Sequence, residues 1–166
     1  MGSDFLKNIL SDIRVEIADE FDRNFSRGAF FGKKWQNRRD GTPSHLITTG
    51  KLRRSIRADT QGNGITFTSS EPYAAIHNEG GRITVTAKMK KYFWAKYAQN
   101  KHNTGLAETY KRLALMRVGS QITIPRRQYI GDAPEVRKAV DDIVRRNFDE
   151  YARQAKQNII NKTKIK

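Results

Sequence analysis

Gln61-Gly62-Asn63-Gly64-Ile65-Thr66-Phe67-Thr68 is the stretch on which the fold class turns. Two glycines flanking an asparagine mark a tight turn, because Gly and Asn accept the positive φ that short hairpin turns need. Beyond it, Ile65 and Phe67 alternate with Thr66 and Thr68, the period of a strand with one buried face. On the other side, Leu52 to Ala58 reads as a strand, or as a short helical turn running into one. The rest of the chain is rich in helical periodicity, so a hairpin here makes the class α+β.

Working outward, Ser69-Ser70-Glu71-Pro72 ends the strand, and Pro72 to Gly81 forms a compact unit. Ile83-Thr84-Val85-Thr86 and Gln121-Ile122-Thr123-Ile124 read as further strands, the second ended by Pro125, which lacks a donor. Toward the N-terminus, residues 28–50 are punctuated by Gly28, Gly32, Gly41, Pro43 and Gly50 and read as loop, anchored by Phe30, Phe31 and Trp35. Before them, Phe5, Leu6, Ile9, Leu10, Ile13, Ile17, Phe21 and Phe25 recur at helical spacing. Ser3 or Asp4 suits the N-cap of that helix and Gly28 its stop. At the other end, Asp132 and Glu135 resemble a capping box. From there Val136, Val140, Ile143, Phe148, Tyr151, Ala155 and Ile159 carry a second long apolar face. The expected architecture is a long N-terminal helix, a small twisted, mainly antiparallel sheet and a C-terminal helix packed on it. The 166 residues are read as one domain, 1–166.

Residues 87–117 interrupt the strand pattern. From Arg82 to Arg117 the basic residues are Arg82, Lys88, Lys90, Lys91, Lys96, Lys101, Lys111, Arg112 and Arg117, against Glu108 alone, a net of +8. Met89, Tyr92, Phe93, Trp94 and Tyr97 lie among them. This is read as a basic inserted arm, or helical hairpin, between two strands. Lys88, Lys90, Lys91 and Lys96, with Arg126 beyond the insertion, are candidate contacts for a polyanion or an acidic partner. The whole chain repeats the theme: 32 Lys and Arg against 17 Asp and Glu give +15. Such an excess attracts nucleic acid, and equally suits docking on an acidic protein.

Chemistry is hard to find. There is no cysteine, which excludes disulfides and thiolate metal sites. His45, His77 and His102 are not spaced as helical ligand pairs; His77 and Glu79 would share a face only on a strand. Thr49-Gly50-Lys51 lacks the upstream glycine and trailing hydroxyl of a phosphate loop. Asp141-Asp142 and Asp149-Glu150 lie among arginines and read as helix-surface ion pairs, not a nuclease cluster. The first residues show no signal peptide and no segment is apolar enough to span a bilayer, so the expected compartment is a cytosol.

Three segments in order carry a resemblance. Thr49-Gly50-Lys51-Leu52-Arg53-Arg54-Ser55-Ile56 supplies Gly50, Leu52 and Ser55 of a small-Gly-x-Leu-x-x-Ser pattern. Pro72-Tyr73-Ala74-Ala75-Ile76-His77-Asn78-Glu79-Gly80-Gly81 supplies Pro72, Tyr73, Ala74, Ile76, His77, Gly80 and Gly81. Ile124-Pro125-Arg126-Arg127-Gln128-Tyr129-Ile130-Gly131 supplies Pro125, Arg127, Tyr129 and Gly131. With a long helix before and after, spanning about 5 to 160, they resemble the phage virion morphogenesis family, the Mu-like tail completion proteins. The resemblance implies a structural protein that completes the tail or joins tail to head, not an enzyme. It implies no cofactor, and a location in the virion, with the host cytoplasm as the site of assembly. The partners it implies are copies of itself in a ring, a hexamer in many tail-protein rings, and other head or tail proteins. DNA in the bore of such a ring would fit the charge; no membrane is implied. The family motifs are expected to be structural: Gly80 and Gly81 for turns, Tyr73 and Tyr129 for buried area with a polar tip. The insertion is longer than the pattern requires. The rival readings are a nucleic-acid-binding module of a mobile element and, further off, a nuclease.

Overall fold

The computed structural model describes residues 2–37, 46–47 and 49–163. Helix α1 (Gly2–Arg27) forms because its apolar residues fall on one stripe; Ile9, Leu10, Ile17, Phe21 and Phe25 are buried. Gly28, at φ 61°, ends it. Helix α6 (Pro134–Thr163) lies antiparallel along it. Ile143 packs on Ile17 and Phe21, and the Phe5 ring lies 4.9 Å from Phe148 and 4.7 Å from Tyr151. Polar contacts border this seam: Asn147 donates to the Asp12 carboxylate at 2.9 Å, and Arg146 pairs with Glu16. Asp132 does not form the capping box; its carboxylate is paired instead with Arg137.

After α1 the chain reverses through two short strands, β1 (Ala29–Phe30) and β2 (Lys33–Lys34), where a loop was expected. The turn holds Phe31 at φ 49°, an unfavourable conformation for a bulky side chain. The buried Asn24 steadies it, accepting from the Phe31 N–H at 3.0 Å. Arg38, Arg39, Asp40, Gly41, Pro43 and His45 lie outside the described residues.

A single helical turn, α2 (Lys51–Arg54), leads into β3 (Ile56–Gln61), and β3 pairs with β4 (Gly64–Ser69) from Ile56↔Ser69 to Gln61↔Gly64. Phe67 meets Phe21 edge-on at 4.9 Å, which seats this hairpin on α1. Helix α3 (Ala74–Glu79) precedes β5 (Gly81–Thr84), which pairs with β6 (Gln121–Ile124). The expected antiparallel strands are thus present, but as three separate two-stranded ribbons. Helical turns α2 and α3 occupy the chain between the ribbons, so each strand has a single pairing partner.

Between β5 and β6 stand α4 (Ala87–Gln99) and α5 (Thr104–Leu115), packed on each other. The Thr86 and Asn103 side chains cap them, accepting from Met89 N and Leu106 N, each at 3.2 Å. At their base, Val85 N donates to Ser120 O at 2.8 Å and Gly119 N to Val85 O at 2.9 Å, and Val85 is buried.

Candidate functional site

The three motifs meet around Tyr129, which is fully buried in a cluster with Phe25, Trp35, Leu52 and Ala74. Its hydroxyl donates to Ala74 O at 3.0 Å, tying the third motif to the second. Burial pushes the phenol up to about 12, so it remains a donor across the physiological range. Arg127 N donates to His77 O at 2.8 Å, and Leu52 brings the first motif to the same cluster.

The two glycines close the hub. Gly80 sits at φ 75°, and a Cβ there would lie 2.8 Å from Arg126 N and 3.0 Å from Arg126 Cα. Gly81, at φ 154°, would place its Cβ 2.6 Å from Ile76 Cδ1. Only glycine fits where the second motif crosses the third. Gly50 (φ 66°) begins α2, and Gly131 (φ 132°) lies beside the Gln128 side chain. Ser55 closes α2, its hydroxyl 2.7 Å from Leu52 O and 2.6 Å from Ser69 Oγ.

Not every motif residue is buried. Tyr73 was expected to bury its ring but is 37% exposed, lying edge-on to His77 at 5.9 Å. Pro72 is exposed beside it. His77 and Glu79 lie on helix α3 rather than a strand, so the pair does not share a face. Burial, then the nearby Arg127 guanidinium, hold the His77 imidazole below its ordinary range, which keeps it neutral. Arg127 is buried and donates to Gln36 O at 3.3 Å, so it belongs to the hub rather than to a polyanion surface.

Three further residues complete the hub; Asn24 and Asn78 were given no role from the sequence, and Trp35 was read only as a loop anchor. Asn24, fully buried, donates to Tyr129 O at 3.1 Å. Asn78 Oδ1 accepts from Tyr129 N at 2.9 Å and Ile130 N at 3.2 Å. The Trp35 indole donates to Gln128 O at 2.7 Å. Asn24 leaves a sequence signal, a polar residue inside an apolar helical stripe, and Trp35 leaves one as an aromatic in a glycine-punctuated loop.

Of the candidate contact residues, Lys88, Lys90, Lys91 and Lys96 stand together on α4, and Lys88 and Lys91 are exposed. Arg126 is not with them. It follows Ile124, which pairs with Gly81 at the end of the β5–β6 ribbon remote from α4 and α5, and its guanidinium donates to Gln128. Among the described residues no group of three His, Asp or Glu could hold a metal ion. No described helix is long and apolar enough to cross a membrane.

The geometry is that of a structural knot, and the family comparison agrees with it. A model of the phage virion morphogenesis family matches residues 26–149. The chain belongs to that family. The match takes in all three motifs and the α4–α5 insertion, and leaves most of α1 and the end of α6 outside it. No curated protein and no solved structure matches. Membership in the phage virion morphogenesis family places the chain's role in building the phage particle.

Proposed function

We propose that this protein is a structural, non-catalytic subunit that completes the phage tail or joins it to the head, acting as a ring of identical copies. The observation that carries this reading is the use of the family motifs: they tie α1, α3 and the segment after β6 into one buried knot, with no reacting groups in it. The surfaces around the knot support self-association. An open apolar groove of about 670 Å³ runs between α1, β4 and the start of α6, lined by Leu10, Ile13, Ile65, Phe67, Val136 and Val140. The last turns of α6 extend past α1 and expose Ile159 (65%) and Ile160 (44%). Apolar surface of both shapes on one copy suits a head-to-tail contact, which closes into a ring where the rotation between copies divides a full turn.

Light scattering on the purified protein, alone and with isolated tails, tests this. A closed oligomer that binds tails or heads is expected; a monomer with affinity for neither would overturn it.

A further inference from the structure

We propose that the α4–α5 hairpin is a DNA-contacting arm, gripping the phosphate backbone of duplex DNA without reading its sequence. The inference rests on the particle role in one respect, that DNA is the polyanion a phage structural protein meets.

Placement comes first. The hairpin interrupts a paired ribbon, and β5 and β6 hold its two ends together at Thr84↔Gln121. Its helices pack on each other, so it is presented as a rigid element rather than a loose loop. Met89, Phe93 and Tyr97, four residues apart, form the half-buried stripe of α4. Ring contacts of Trp94 with Tyr97 (5.8 Å) and Tyr92 with Phe93 (5.8 Å) stiffen it further.

The exposed face of α4 has a different chemistry. Ala87, Lys88, Lys91, Ala95 and Ala98 are all exposed, and helical spacing gathers them on one side. The stripe itself is made of methyl groups and lysines, and the exposed rings of Tyr92 (54%) and Trp94 (43%) border it on either side. It allows close approach to a smooth charged surface, and flexible lysine stems deliver point charges to phosphates without fixing an orientation. Arg82, Lys101, Arg112 and Arg117 add exposed positive charge nearby. The single acid of the segment, Glu108, is paired with Lys111, and the segment stays at +8. Compensation is therefore left to a partner, and the density fits a polyphosphate better than a protein surface of mixed charge.

The test measures binding of the full chain to a short random-sequence duplex at about 50 to 200 mM salt, the range over which phosphate contacts weaken steeply. Two variants of equal net charge are compared. One carries Lys88→Gln, Lys90→Gln, Lys91→Gln and Lys96→Gln; the other carries Arg145→Gln, Arg153→Gln, Lys156→Gln and Lys162→Gln on α6. The parent is expected to bind with a steep salt dependence. The hairpin variant should bind about tenfold or more weakly, with a log–log salt slope smaller by roughly two, at ~0.9 for each of the phosphate contacts of Lys88 and Lys91. The α6 variant should stay within about threefold of the parent, having lost the same long-range attraction but none of the contacts. Equal weakening by both variants would overturn the proposal, because net charge alone would then explain binding. So would failure of the parent to bind at the lowest salt, or binding of an acidic protein partner through these lysines in preference to DNA. Should the hairpin variant lose its helical signature, Lys88→Gln with Lys91→Gln is read instead, with a slope smaller by about two. Particle assembly is scored separately, so a negative result here leaves the structural role standing.

Discussion

Asn24 is a polar residue in the middle of an apolar stripe, and it is buried because both ends of its amide are used. Its Nδ2 donates to Tyr129 O and its Oδ1 accepts from Phe31 N, so one side chain ties α1 to the third motif and holds a strained turn. Asn24→Leu should cost about 1–3 kcal/mol, the range for leaving buried polar groups unmatched, read from the urea midpoint. Gly80→Val should cost about 1–3 kcal/mol through backbone strain alone, and more from the contact with Arg126. Unchanged melting of that variant would contradict the geometry assigned to the glycine pair. Tyr129 supplies a pH test. Its phenol titrates at about 12 in the folded chain, above its ordinary value, so the folded state holds the proton more tightly. The stability tied to that proton is fully present below about pH 10 and declines as pH rises from ~10 toward ~12. Tyr129→Phe should lower stability at neutral pH and flatten the decline in that window. An equally steep decline in the variant would assign the alkaline loss to other groups.

Elements were legible in the sequence where periodicity is local. The stripes of α1 and α6 follow from 3.6-residue spacing, and the β3–β4 hairpin follows from Gly62, Asn63 and Gly64, whose turn joins Gln61↔Gly64. The insertion at 87–117 was read as an arm or helical hairpin, and two helices stand there. The ribbon β1–β2 was not legible, because two-residue strands have no period and its turn depends on Asn24. The division of the strands into three ribbons and the hub bonds of Asn78 and Trp35 were hidden for a related reason. They are long-range pairings, with Asn78 meeting Tyr129 across 51 positions of chain. Tyr73 was misjudged because a motif aromatic can as well lie at the surface beside a buried neighbour. The hairpin is closed beneath by β5–β6 and packs on itself, so the four Lys→Gln changes on α4 should each shift stability by no more than about 0.5 kcal/mol. A large loss of melting temperature would mean that these lysines hold the body together rather than face outward.

For the whole molecule, the parts divide into a buried knot, two apolar surface patches and a charged arm. The knot fixes the fold by joining the three motifs around Tyr129. The groove beside α1 and the protruding end of α6 present apolar surface that a second copy can cover, so Ile159→Asp with Ile160→Asp should reduce the proposed ring to smaller species while leaving the monomer folded. If this protein is built into the phage particle, the particle is incomplete without it. Electron microscopy and infectivity of a phage whose copy of this gene is deleted, with and without the protein supplied in trans, decide the matter. Heads and tails that fail to join or tails left unfinished, few infectious particles, and rescue by the supplied protein are expected, and that protein should then be found in purified virions. Normal, fully infectious particles made in the absence of the protein would contradict that requirement.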